Sequence, residues 1–149
     1  TTLEEFKLRR TEKLTIPGTR AEAAGERDNG KTFVLTEMDA YTGQDWALRA
    51  LLALAASGAV LPTGALSGGW SGLAGFGVTA LLQAPYGALR PLLDEMLAQA
   101  KYEHKPGQPL QPIAAGVNCP VEEIKTFLTL QIALFKLHTG FSPADATPT

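Results

Sequence analysis

The stretch from Thr42 to Gly58, TGQDWALRALLALAASG, constrains the fold more than any other part of the chain. After Asp45 its only charge is Arg49, and the remaining positions are almost all Leu or Ala around Trp46. A helix apolar nearly all round belongs either in a protein core or in a membrane. The run from Ala50 to Ala56 is far shorter than the roughly 20 residues that cross a bilayer. The spacing therefore predicts a core helix over 42–57, around which the rest of the chain packs. Thr42 is placed to cap its start, with Asp45 in the capping-box position three residues on. Ser57-Gly58 is placed to end it, since glycine readily takes the left-handed conformation beyond a C-cap.

No charge occurs between Arg49 and Arg90, but Pro62, Pro85 and repeated glycines divide that segment into pieces too short to span a membrane. A length of 149 residues predicts one domain, assigned to 1–141, with 142–149 as a disordered tail. A net charge of −2 gives no general attraction to nucleic acid. The basic cluster Lys7, Arg9, Arg10 and Lys13 is interleaved with Glu4, Glu5 and Glu12 and reads as a solvated mixed face. The lone Cys119 excludes an intrachain disulfide framework, and the charged N-terminal stretch has no apolar signal-peptide core.

Two strands are predicted ahead of the central helix, near 12–16 and over 31–38, forming a small hairpin region across 12–38. In the second, Phe33 and Leu35 share one face, while Val34, Thr36 and Met38 share the other. Asn29-Gly30 suits a tight turn with positive φ. Further helices are expected over Leu73–Leu82, Tyr86–Tyr102 and about 120–139, with Pro91 in the first turn of the second of these and Pro120 opening the last. Segment 59–72 reads as a glycine-rich loop, and Pro106, Pro109 and Pro112 mark a linker without regular structure. The fold class is thus α+β, mainly α: about four helices packed around the 42–57 helix, across 42–139, with a small N-terminal β-hairpin.

The chemical inventory points away from catalysis. His104 and His138 have no local partner, and no HExxH, CxxC, GxSxG, P-loop or GxGxxG spacing occurs. Asp94 and Glu95 are adjacent, so on a helix they diverge. No enzyme activity, cofactor or metal is expected. What stands out is interaction surface. Trp70 and Phe76 lie in the charge-free segment, where large aromatics either anchor partners or fold back on the core. The last helix is apolar over more than one stripe, as for a helix with two neighbours. Candidate partner-binding residues are Trp70, Phe76, Ile124, Phe127, Leu128 and Phe135.

Four stretches together resemble phage tail assembly chaperones: KTFVLTEMDA (31–40), WALRALLALAASG (46–58), PLLDEML (91–97) and IALFKLHTGF (132–141). The resemblance implies a small, mostly helical, non-enzymatic protein of the infected bacterium's cytoplasm, absent from the mature virion. Such a protein binds the phage tape measure protein and keeps it soluble during tail assembly. The tail tube protein is a further expected partner and a homo-oligomer the expected state; neither nucleic acid nor membrane is expected as a partner. The alternative is a structural tail or connector subunit retained in the virion. A membrane-active protein built on 50–89 is the weaker competitor.

Overall fold

The computed structural model describes residues 9–16, 27–113 and 118–139. The Pro17-Gly18 turn, a turn at Thr2–Glu5 and the tail beyond 139 lie outside the described residues. The elements are β1 (Thr11–Thr15), β2 (Thr32–Thr36), α1 (Ala40–Ala56), α2 (Ala65–Gly68), α3 (Trp70–Leu73), α4 (Val78–Leu81), α5 (Tyr86–Leu97), β3 (Ala100–Glu103), β4 (Gln111–Pro112) and α6 (Ile124–Thr139). Mixed α and β structure, with helices dominant, agrees with the class read from the sequence.

The central helix is real, and α1 touches each of α2, α3, α4 and α5. Its cap differs from expectation. Asp39, not Thr42, is the N-cap: its carboxylate accepts from the Thr42 N–H at 2.7 Å and from the Thr42 hydroxyl at 2.9 Å. A carboxylate caps as well as a hydroxyl does, and starting at Ala40 adds residues to the helix. The C-terminus closes as a Schellman motif, with Ala59 N–H on the Leu54 carbonyl, Gly58 N–H on that of Ala55 and Gly58 at φ +103°. Trp46, Ala47, Ala50, Leu51 and Leu54 face the core, but Leu52 is 55% exposed, so α1 is not encased. Arg49 reaches across to α5, where its guanidinium grips both Glu95 oxygens.

The sheet is larger than the predicted hairpin. It is antiparallel with order β1-β2-β3-β4, and Phe33 faces Leu14 on one side and Tyr102 on the other. Phe33 and Leu35 are both fully buried. This corrects two expectations. The helix predicted to run to Tyr102 stops at Leu97, and the proline-rich linker folds into a β3–β4 hairpin. The reason is that β2 has backbone groups on both edges, and an unpaired buried edge is costly; residues 100–103 satisfy the second one. Lys105-Pro106-Gly107-Gln108 makes the reversal, with the Gln108 N–H on the Lys105 carbonyl and Gly107 at φ +87°, the geometry of a type II Pro-Gly turn. At Asp28–Lys31 the expected turn forms, with Gly30 at φ +92°.

Segment 59–82 breaks into α2, α3 and α4, four residues each, instead of a loop and one helix over Leu73–Leu82. Gly69 at φ +58° and Gly77 at φ +86° interrupt the helical path. Gly72 allows closest approach: a Cβ there would sit 2.3 Å from the Ala65 carbonyl oxygen. α5 starts at Tyr86 as expected, but Pro91 is its sixth residue and so lies in the second turn, not the first; the ring's missing N–H leaves one α5 carbonyl without its usual donor.

α6 begins at Ile124, so Pro120 precedes it. Its N-terminus is capped from across the chain. Asp28, fully buried, accepts from the backbone N–H groups of Glu122 and Glu123 at 2.9–3.0 Å and from the Thr126 hydroxyl at 2.6 Å. Lys31 completes the cluster, donating to Asp28 at 2.9 Å and to the Pro120 carbonyl at 2.6 Å.

Candidate partner-binding groove

α6 packs against α3, α4 and α5 and presents two apolar faces. Leu130, Leu134, Phe135 and Leu137 turn into the core. Ile124, Phe127, Leu128 and Gln131, at i, i+3, i+4 and i+7, line an open groove of about 950 Å³. Arg90, Asp94 and Leu97, at i, i+4 and i+7 of α5, form the opposite wall, with Leu82 and Ile113 completing it. Such periodicities each place one helical stripe on the groove. Ile124 stands 88% exposed and Leu128 40% exposed. Arg90 Nε bonds Asp94 Oδ1 at 3.0 Å, one turn apart on the α5 rim.

Of the six candidate residues, the groove gathers Ile124, Phe127 and Leu128. The other three lie elsewhere. Phe135 is only 5% exposed and belongs to the core. Phe76 is half-buried and lines a separate glycine-rich depression with Val60 and Pro62. Trp70 stacks on Trp46 at 5.1 Å and on His138 at 4.5 Å between ring centroids. The Trp46–Trp70–His138 stack thereby ties α1, α3 and α6 together. Leu82, Leu97, Ile113 and Gln131 complete the groove but were not singled out from the sequence. Only the i, i+4, i+7 spacing of 90, 94 and 97 signals a shared face, and its charged members suggested plain solvent exposure.

His138, with no partner apparent in the local sequence, finds a distant one in the fold. It is buried, and its Nε2 accepts the Met38 N–H at 2.9 Å while Nδ1 lies 2.8 Å from the Leu134 carbonyl. Those two partners require a neutral ring with its proton on Nδ1. Burial pushes the imidazole pKa below its ordinary value, with Arg10 adding to that and the Leu134 carbonyl and Glu37 opposing it. A histidine with a depressed folded pKa binds fewer protons folded than unfolded, so stability falls as pH drops below about 6.5, by up to about 1.4 kcal/mol per pH unit. Melting temperatures of the wild type should fall between pH 7.5 and 5.5. In His138→Gln that slope should flatten. An unchanged slope would place the titrating group elsewhere.

Among the described residues, no three His, Cys, Asp or Glu side chains gather as a metal site, and no helix is long and apolar enough to cross a membrane. Asp94 and Glu95 diverge, the first to Arg90 and the second to Arg49. The groove is built to hold apolar surface, with one ion pair on its rim. No family model, curated protein or solved structure matches the chain.

Proposed function

We propose that the chain is a non-enzymatic phage tail assembly chaperone that binds the tape measure protein and keeps it soluble in the host bacterial cytoplasm, without entering the mature virion. The observation that carries this reading is the α5–α6 groove, with Ile124 standing 88% exposed beside it. A holdase needs apolar surface open to solvent, and contiguous patches of that kind mark interaction sites. The resemblance adds support. Its stretches overlap β2, α1, α5 and α6, and the 91–97 stretch carries the groove residues Asp94 and Leu97.

Co-expression of the chain with the tape measure protein of the same phage tests the proposal. A soluble complex is expected where the tape measure protein alone is insoluble. Ile124→Asp should abolish capture while leaving the melting temperature nearly unchanged, because an exposed side chain contributes within about 0.5 kcal/mol. Absence of a complex, with the chain present in purified particles by mass spectrometry, would instead favour a structural tail or connector subunit.

A further inference from the structure

We propose that the outer edge of β1 pairs with β1 of a second copy of this chain, joining two four-stranded sheets into one continuous sheet. The proposal does not rest on the groove. The sheet has two edges, and they differ. β4 is two residues long and ends in Pro112, which has no N–H to offer. β1 is five residues long without proline or glycine, and among the described residues no strand lies outside it. Such an edge is a template for another strand.

The hydrogen bonds fix which main-chain groups face outward. The Ile16 N–H donates to the Lys31 carbonyl at 2.8 Å, and the Arg10 carbonyl accepts the Glu37 N–H at 3.0 Å. Alternation then turns the main-chain groups of Glu12 and Leu14 toward β2 and those of Thr11, Lys13 and Thr15 outward. The same register sets Leu14, Phe33 and Tyr102 in one row on the face where Phe33 is buried. Leu14 ends that row and is only half-buried. A lysine on an edge strand ordinarily discourages further pairing, but Lys13 is paired with Glu103 of its own sheet at 3.3 Å.

Self-complementarity names the occupant. Two copies of one strand pair antiparallel about a two-fold axis, and the outward groups require that axis to pass at a residue. At Lys13 it sets two lysines face to face, and at Glu12 two glutamates. At Thr11 it sets Lys13 against Arg9 of the partner subunit, and at Thr15 against Pro17 of the partner subunit, which lacks an N–H. At Leu14 no like charges meet. Lys13 then exchanges both main-chain bonds with Thr15 of the partner subunit, and Thr15 with Lys13 of the partner subunit. Leu14 meets Leu14 of the partner subunit as a non-hydrogen-bonded pair, the closer kind, and the apolar row runs on from one copy into the other.

Sedimentation velocity and cysteine cross-linking of the full-length chain test this. The wild type should dimerise. Lys13→Pro removes an outward N–H and spares every bond to β2, so it should keep the far-ultraviolet circular dichroism of the wild type and raise the dimer Kd at least about tenfold. In a Cys119→Ser background, Leu14→Cys should cross-link two copies under mild oxidation, because directly opposed Cβ atoms lie about 4.5–5.5 Å apart, near disulfide range. Glu12→Cys in the same background should not. Should Lys13→Pro lose the wild-type spectrum, the two cysteine variants decide alone.

A wild type that stays monomeric at its highest soluble concentration overturns the proposal. So does a dimer that a folded Lys13→Pro leaves intact, or one that Ile124→Asp dissociates instead, which would put the contact at the groove. Cross-linking through Glu12→Cys in preference to Leu14→Cys overturns it as well.

Discussion

Asp28→Ala should lower stability by about 3–5 kcal/mol, the range for removing one partner of a buried charge cluster. That corresponds to a melting temperature lower by on the order of 10 °C. The carboxylate is fully buried and holds four donors: the Glu122 and Glu123 N–H groups just ahead of α6, the Thr126 hydroxyl and the Lys31 ammonium. Alanine leaves all four without it, two of them at the positive end of a helix. Asp28→Asn keeps the shape and one acceptor oxygen but exchanges charge-assisted bonds for neutral ones, so it should cost less, about 1.5–3 kcal/mol. Urea denaturation of the three proteins measures both. A loss below about 1 kcal/mol for the alanine variant would mean that α6 holds its position by packing alone.

The same residue sets an acid limit distinct from that of His138. Burial pushes the Asp28 carboxyl up, but the bonds from Thr126, Lys31, Glu122 and Glu123 together outweigh it and hold its pKa below the ordinary 3.8. A depressed carboxylate contributes stability above its unfolded pKa and loses it as pH falls through the folded one. Its contribution is therefore intact at pH 5.5, where the His138 penalty is already felt. The two acid transitions should separate in the single variants.

Trp46→Ala should be the other severe change, costing about 3–5 kcal/mol as large aromatic truncations in cores do. Trp46 is 1% exposed, its ring stacks on Trp70, and its indole N–H donates to the Leu92 carbonyl at 2.9 Å. Removing it opens a void between α1 and α5 and takes away one face of the stack that reaches His138. Near-ultraviolet circular dichroism should weaken, and the emission of Trp70 should shift to the red as water reaches it. Trp46→Phe keeps a ring and loses the hydrogen bond, for about 1 kcal/mol. Trp70 is only half-buried, so Trp70→Ala should cost less than Trp46→Ala. The reverse order would make Trp70, not Trp46, the centre of the core.

Local patterns in the chain determined a good deal. Alternation of Phe33 and Leu35 against Val34 and Thr36 places β2 and its buried face. The Leu and Ala run after Trp46 places α1, and Gly58 places its end. The i, i+3, i+7 spacing of Leu89, Leu92 and Met96 marks the core side of α5. Each of these is a matter of neighbours in sequence, where period and propensity act directly. The excess apolar width of α6 was also legible, and it is the part of the candidate site that the sequence announced.

The tertiary structure decided what depends on distant partners. β3 is a strand because the far edge of β2 needs hydrogen bonds, not because Ala100–Glu103 favours one. α6 is capped by Asp28, 94 residues before Glu122, and Glu122 and Glu123 lie just ahead of the helix. His138 is a neutral bridge to Met38 because burial withholds the water a charged ring needs. Phe135 went to the core and Trp70, half-buried, to a stack with Trp46 and His138, whereas Ile124, Phe127 and Leu128 met Arg90, Asp94 and Leu97 across a groove. Hydrophobicity alone does not say which apolar stripe is covered, because the transfer of apolar area out of water has no direction; that choice belongs to the packing of whole elements.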